Sequence, residues 1–561
     1  MKETIYEVTF MSSWKTYYPR PQLRRNSFLP LLDGWKLNGN PITMPFCPES
    51  LLSGYEGELG MSMTYETTFT LPRTFLPKEY RLWLHFGAVD QIAEVFVNGR
   101  PIVRHEGGYL PFSGDITHAL IQGENYLTVC VMDALDRDYP YGKQRKKRGG
   151  MWYTPVTGIW QTVWLEAVPE KAVTGMKITP DLTGIGLQVD TEVERCEAIV
   201  SMDGAEVARA AWTAAEKVRI NIPQEHIRLW TPDSPTLYDL TVTAGADTVH
   251  SYFALRTVEI KADKHGVQRL CLNGEPVFLN GVLDQGYFTD GHYLPGDPAE
   301  YARDVRRMKE LGFNMLRKHI KVEPEAFYEA CDRLGMLVVQ DMVNNGGYNY
   351  LFDTVLPTIG FQWRPNWSVP KRRKEIFETC AADTIAHLHD HPCVIGYTIF
   401  NEGWGQFDGD RVYRKLKALD PTRFYDTASG WFIPKETDVD SKHVYFRNKK
   451  LKPGKRPMFL SECGGYARKI DGHLWNPANE YGYGKTDTEQ QLTDAIGRMY
   501  AEMVNPAIAQ GLCGVVYTQL SDVEDEINGL YTYDRQVCKV DGAKMRAILR
   551  EAEDILRRAT E

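Results

Sequence analysis

No two of the ten cysteines stand in a Cys-x-x-Cys spacing, so the sequence offers neither a zinc ribbon nor a redox dithiol. Their even number suggests no disulfide framework in a chain of 561 residues. Cys130, Cys393 and Cys513 lie in apolar, strand-like runs and read as small buried hydrophobes. No run approaches eighteen apolar residues, which argues against a membrane-spanning helix. The segment Met1-Lys-Glu-Thr-Ile-Tyr6 lacks an apolar core, so no secretory leader is expected. A reduced, cytoplasmic setting is then the default. Positive charge is also scarce: the net charge of −9 argues against a nucleic-acid partner. The one basic run, Lys143-Gln-Arg-Lys-Lys-Arg148, reads as a short solvated loop ahead of Gly149-Gly150. Neither internal repeats nor low-complexity segments are evident.

What the chain does have is alternation. Met63–Thr70, Tyr80–Phe86, Ala93–Val97, Asn125–Val131 and Ile159–Ala167 predict short strands, and Asn98-Gly99 is a strong hairpin signal. Residues 1–170 therefore read as a β-sandwich. Between 171 and 260, six further candidate strands (Lys177–Pro180, Leu187–Val193, Ala198–Met202, Lys217–Ile222, Leu237–Val242 and His250–Ala254) fit an immunoglobulin-like sandwich. From 261 to 561, strands alternate with helical runs. The strands are Val277–Val282, Asn314–Ile320, Leu337–Met342, Val394–Phe400, Phe424–Thr427, His443–Phe446, Met458–Ser461 and Gly514–Leu520. Eight strands with intervening helices match a (β/α)8 TIM barrel. A doubly wound sheet is the alternative, but no glycine-rich phosphate loop follows any strand. Aromatic residues make up 12% of the chain, which suits either sugar stacking or an ordinary β-rich core.

Two segments carry the chemistry: Thr398-Ile-Phe-Asn-Glu-Gly-Trp404 and Met458-Phe-Leu-Ser-Glu-Cys-Gly464. Each is an apolar run ending in a glutamate close to a glycine. By strand count, Asn401-Glu402 ends strand four and Glu462 ends strand seven, on opposite sides of the barrel mouth. One Asn-Glu pair alone also fits a helix N-cap. Two carboxylates about 5 Å apart at a barrel mouth instead suit a retaining glycosidase, with Glu402 as acid/base and Glu462 as nucleophile. Glu402 must then start protonated and Glu462 ionised. The histidines His319, His389, His391 and His443 are not spaced as a metal set, so no metal and no cofactor are expected.

The chain resembles glycoside hydrolase family 2, the family of β-galactosidases, β-glucuronidases and β-mannosidases, over almost its whole length, and the resemblance implies that residues 1–170 are a β jelly-roll, sugar-binding-like domain. His391-Pro-Cys-Val-Ile-Gly-Tyr-Thr-Ile-Phe-Asn-Glu402 resembles the acid/base signature, and Phe459-Leu-Ser-Glu-Cys-Gly464 the nucleophile segment. Gly158-Ile-Trp-Gln-Thr-Val-Trp-Leu-Glu166 resembles the last strand of the first domain, and Phe313-Asn-Met-Leu-Arg-Lys-His319 the second barrel strand. The resemblance implies that Asn401 bonds the sugar 2-hydroxyl. It makes Tyr445 either the residue that orients Glu462 or a core tyrosine. Arg317 and His319 either hold Glu462 or a sugar hydroxyl, or form an inter-strand ion pair. Asp284 and Gln285 follow strand one and bind hydroxyls or cap the next helix. Trp404 is a candidate aromatic wall, and Tyr517 or Asp522 a candidate floor of the sugar site. The acidic stretch Asp522 to Glu526 binds hydroxyls or a cation, or caps the last helix. The loop Gly346–Trp367 is expected to shape the aglycone side.

Family glucuronidases grip the uronic carboxylate with an Asn-x-Lys after strand eight. Here Glu526-Ile-Asn528 stands in that place, ahead of Gly529-Leu-Tyr-Thr-Tyr-Asp-Arg535. A glutamate there should repel a uronate, so the expectation is an exo-acting enzyme for a neutral terminal sugar, β-galactose first. β-Glucuronides, α-L-arabinofuranosides and β-galactofuranosides stay open, as does transglycosylation. A carbohydrate-binding protein with a silent barrel is the non-enzyme alternative. The partner expected is a carbohydrate or glycoconjugate, with no nucleic acid and no membrane. By analogy with the family, a homo-oligomer is expected.

Overall fold

The computed structural model describes residues 10, 13–362, 368–445 and 447–561. Two β-sandwich layers lead into a parallel barrel. In the first sandwich, a six-stranded sheet faces a four-stranded one. Ser62–Thr70 shows why: Met63, Tyr65 and Phe69 turn into the core while Ser62, Glu66 and Thr68 face out. It pairs antiparallel with Glu124–Met132 along its full length. Asn98 and Gly99 both take positive φ (51° and 75°), the twist a two-residue hairpin needs, and set Val97 opposite Arg100.

The second layer holds a three-stranded sheet (Gly175–Pro180, Gly184–Asp190 and Val218–Asn221) and a four-stranded one. The latter contains Ala205–Thr213, a strand absent from the sequence reading. Its alanine-rich sequence hides it, although Asp203-Gly204 carries the same hairpin signature, with φ of 52° and 78°. Arg25 ties the two layers together. Its Nη1 donates to Glu166 at 3.2 Å, and its Nε and Nη2 donate to Asp247 at 3.0 and 2.8 Å.

The barrel strands are Leu279–Asp284, Met315–Lys318, Leu337–Asp341, Val394–Asn401, Phe424–Ser429, Asp440–Val444, Met458–Gly464 and Leu512–Thr518. They pair in parallel in the order 5-4-3-2-1-8-7-6. Strands five and six meet through the segment before strand six, where Asp438 N donates to Tyr425 O at 3.0 Å. The segment 430–439 between them carries no helix. The last helix, Gly542–Thr560, returns across strand one, and Asn280 Nδ2 donates to Leu549 O at 3.1 Å.

Several expectations shift. The helix expected over Glu489–Gln510 runs regularly only over Glu489–Met499, then widens over Tyr500–Val504 before Asn505–Ile508. Pro506 lacks the N–H that a continuous helix would use. The loop after strand three contains helical turns at Leu351–Val355 and Leu356–Thr358, and residues 363–367 of it lie outside the described residues. Phe446, expected to end strand six, lies outside them too. Among the described residues all ten cysteines are free, and Cys130 is only partly buried. No helix among the described residues is long and apolar enough to cross a membrane.

Replacing Arg25 with Met leaves two buried carboxylates short of a partner. It should cost about 3–5 kcal/mol, measured as a lower urea midpoint. An unchanged midpoint would show that the two layers do not depend on this bridge.

Candidate active site

Parallel strands that pair in register present the same face, so the carboxyl ends of the barrel strands decide which side chains meet. Leu283 pairs with Arg317, and Asp284 with Lys318. Arg317 points into the barrel and is fully buried. Its five N–H groups are all engaged: Nε with Asp341 Oδ1 (2.9 Å), Nη1 with Ser461 O (2.9 Å) and Glu462 Oε1 (3.0 Å), and Nη2 with Asn401 Oδ1 and Ser429 Oγ (3.0 Å each). One guanidinium thus holds strands three, four, five and seven. Asp341 also meets His319 Nδ1 at 2.7 Å.

Glu462 lies within strand seven, two residues before its end, rather than just past it. Strand seven carries one extra residue, Ser461, between the Lys442–Leu460 and His443–Glu462 pairs, which sets His443 directly opposite Glu462. Tyr445, two residues on, faces the same way, and its hydroxyl donates to Glu462 Oε2. Tyr445 in turn stacks on Tyr483 at 3.9 Å. Burial pushes the Glu462 carboxyl up, but His443, Arg317, His319 and the Tyr445 hydroxyl together outweigh it, so the group is held well below the usual glutamate range.

Glu402 stands one residue past strand four. Its φ of 54° is left-handed, unusual for a side-chain-bearing residue. Its N–H still reaches Ser429 O (3.2 Å), so the turn starts from a paired strand end. Gly405 at φ 65° closes this turn against Asn345 O, where a Cβ would come within 2.2 Å. His443 spans the pair: Nδ1 lies 2.9 Å from Glu402 Oε1, and Nε2 lies 3.7 Å from Glu462 Oε1. Asn401 Oδ1 is occupied by Arg317 and by Ser429 Oγ (2.7 Å), which turns its Nδ2 hydrogens away from both.

Of the expected site residues, the structure brings together Glu402, Glu462, Asn401, Arg317, His319 and Tyr445. Others fall elsewhere. Since Arg317 faces inward, Lys318 and its partner Asp284 face outward, and the Asp284 carboxylate is held by Lys318 Nζ at 2.6 Å and by Gly286 N at 2.9 Å. Asp284 thus stands in an ion pair with Lys318. Gln285 is buried, with its Oε1 free of protein partners. Trp404 is buried behind Trp152 and Tyr348, 5.2 and 5.9 Å away, and its Nε1 donates to Gly346 O. Tyr517 packs on Tyr466, and Asp522 accepts from Lys539 Nζ at 2.7 Å and Gly529 N at 2.8 Å. Neither Tyr517 nor Asp522 has a hydrogen bond to Glu402 or Glu462.

The sequence reading missed His443, Asp341 and Ser429 as site residues. Donor atoms of Glu402, His443 and Glu462 lie within 4.8 Å of one another, a set able to hold a cation. Linear spacing hides it because the three come from strands four, six and seven. Missed as well was the first sandwich's reach into the barrel. The basic run is solvated only in its second half: Lys146, Lys147 and Arg148 are exposed, whereas Lys143 and Gln144 are buried. Arg148 Nη1 lies 3.3 Å from Glu524, Thr154 N donates to Glu524, and the Tyr153 hydroxyl donates to Glu526.

Arg317→Met would leave Asp341 and Glu462 buried without their cation, a loss of about 3–5 kcal/mol in unfolding experiments. Adding Asp341→Asn should recover part of it. Full additivity of the two changes would contradict the coupling.

Residues 56–169 match the model of the glycosyl hydrolases family 2 sugar binding domain, and residues 264–452 match the family 2 TIM barrel domain. A β-galactosidase of Enterobacter cloacae is 26% identical over 424 residues, 71% of this chain and 38% of that protein. The chain thus spans about two fifths of the length of this curated relative, 38%. A β-glucuronidase of Paenibacillus borealis is 26% identical over 418 residues, 67% of this chain and 65% of its own length. In fold, the chain is similar to the β-D-glucuronidase of Dictyoglomus thermophilum (TM-score 0.75, 18% identity, 95% of this chain and 98% of that one). It is similar also to a β-glucuronidase of Ruminococcus gnavus (TM-score 0.73, 18% identity, 97% and 100%). With both its sugar-binding sandwich and its barrel matched by the family's own models, the chain belongs to glycoside hydrolase family 2.

Proposed function

We propose that this chain is an exo-acting, retaining glycoside hydrolase in which Glu462 is the nucleophile and Glu402 the acid/base. One observation carries the reading: an oxygen of Glu402 and one of Glu462 lie within 4.8 Å of each other. That spacing suits the roughly 5–5.5 Å of retaining enzymes and leaves no room for the water that inverting enzymes hold across about 6.5–9.5 Å. In the first step the Glu462 carboxylate attacks the anomeric carbon. The bond to the aglycone oxygen breaks, and Glu402 gives that oxygen its proton. In the second, Glu402 takes a proton from water, the resulting hydroxide attacks the glycosyl ester, and Glu462 leaves as carboxylate. Arg317 and Tyr445 keep Glu462 ionised and aimed. Asn401, with its oxygen occupied, presents N–H groups to the 2-hydroxyl. The assignment divides the chain into 1–170, 171–260 and 261–561, and ten unpaired cysteines support a reducing compartment.

For the terminal sugar, the names of the relatives divide between β-galactosidase and β-glucuronidase. The neutral β-galactoside rests on Glu526 repelling a uronate. Glu526 is buried, which raises its carboxyl, and its oxygens accept from Tyr153 and from Asn528 Nδ2 at 2.9 Å. The repulsion is therefore weaker than the sequence implies, and a β-uronide stands as the second reading.

Glu462→Gln should reduce hydrolysis of every aryl glycoside to the uncatalysed level, because no ester can form. Glu402→Ala should slow poor leaving groups by about 10²–10⁴-fold and activated aryl groups far less. Equal losses across leaving groups would contradict the acid role, and full activity of Glu462→Gln would contradict the nucleophile.

A further inference from the structure

The cations around the barrel mouth differ in what they face. Arg317 has all five donors engaged, Lys318 and Lys321 both bind Glu323 at 2.9 Å, and Lys539 binds Asp522. Arg145 lies over the Trp152 ring, 3.6 Å from its centroid. Lys143 is unlike these. It is 8% exposed, yet among the described residues its ammonium makes no hydrogen bond and no ion pair. It lies 5.6 Å from the centre of the Trp152 ring. Its Nζ is not sealed from solvent, so the ammonium is free to meet the charge of a ligand.

The backbone around Lys143 is pinned to the barrel mouth. Tyr141 N and Gly142 N reach Asn344 O, beyond strand three, at 3.1 and 3.4 Å. Gly142 has φ 65°, and a Cβ there would stand 3.0 Å from Ile320 O, beyond strand two. Tyr153 N donates to Lys143 O at 3.0 Å, and the Tyr153 hydroxyl reaches Glu526, beyond strand eight. The ammonium also acts electrostatically on His319 and on Glu526. His319 is pushed below its usual range, first by burial. Strand eight lies across the barrel from strand four. With Asn401 on strand four facing C2 of the sugar, the group on C5, across the ring, lies on the side of Lys143 and Glu526.

We propose that Lys143, delivered by the first domain rather than by the barrel, is the residue that reads the charge of the terminal sugar, and that the group it receives is a carboxylate on C5, as in a β-uronide. The inference rests on the hydrolase reading above and favours its second substrate, the β-uronide, over the neutral sugar. The Asn-x-Lys position after strand eight holds Glu526 and Asn528, so the cation comes from another domain. Glu526, whose carboxyl is raised by burial, stands beside the ammonium with its oxygens accepting from Tyr153 and Asn528.

The test compares the nitrophenyl β-D-glucuronide and β-D-galacturonide with the matching glucoside and galactoside, using the full chain and Lys143→Met, with Glu462→Gln as blank. One uronide should exceed its neutral partner in kcat/KM. Lys143→Met should lower that uronide-to-neutral ratio by about 10–10²-fold, the scale of one charged hydrogen bond. A neutral sugar preferred by the full chain, or a ratio unmoved by Lys143→Met, would overturn the proposal and leave hydrolysis standing. If no glycoside exceeds the blank, the hydrolase reading fails instead. Calorimetry with D-glucuronate and D-glucose then decides Lys143: glucuronate binding that Lys143→Met weakens supports it, and no preference over glucose overturns it.

Discussion

Arg317 is the constraint around which the site is built. A guanidinium has five N–H groups in a fixed plane, and here each finds an acceptor, on Asp341, Ser461, Glu462, Asn401 and Ser429. A lysine at 317 could supply the charge but not the fork. The consequences spread outward. The charge helps keep Glu462 ionised against the cost of its burial. The Nη2 pair fixes which end of the Asn401 amide faces the cavity. Asp341, held on one oxygen, orients His319 with the other. A buried cation with that many partners stabilises one geometry and penalises others, because every strand that shifted would strand a donor.

The second organising element is His443, which stands between the two carboxylates. An extra residue in strand seven, Ser461, sets Glu462 opposite it, and the left-handed turn at Glu402 brings the other carboxylate back to it. Strand irregularities of this kind re-aim side chains, and they concentrate where chemistry happens. The first sandwich completes the mouth. Its 141–154 segment seats Trp152 against Trp404 and hands Tyr153 to Glu526, so a domain that might have folded beside the barrel forms part of its wall.

The architecture was legible where local pattern and tertiary role agree. Alternation in Ser62–Thr70, the Asn98-Gly99 turn and the apolar runs ending in Asn401-Glu402 and Glu462 all point to their observed places. Legibility failed where a residue's meaning is set by another strand. His443 has no local sign of its role, because its partners are 41 and 19 positions away in sequence. Asp284 was open to binding hydroxyls or to capping a helix because it ends strand one, and its ion pair with Lys318 is set by the parity of Arg317 on the neighbouring strand. The start of the basic run misled because charge in a sequence implies solvent, whereas burial against another domain reverses that inference for Lys143. Ala205–Thr213 was hidden by alanine, which has little preference for strands, although its turn was visible.

The account stands or falls on the two carboxylates acting through a covalent glycosyl ester. The most direct measurement is proton NMR of the sugar as it is first released from whichever aryl β-glycoside the enzyme cleaves fastest, read before mutarotation. Double displacement predicts that the β-anomer appears first and the α-anomer only later. Initial release of the α-anomer would mean a single displacement by water, and would contradict the nucleophile assigned to Glu462 and the close spacing on which the account rests.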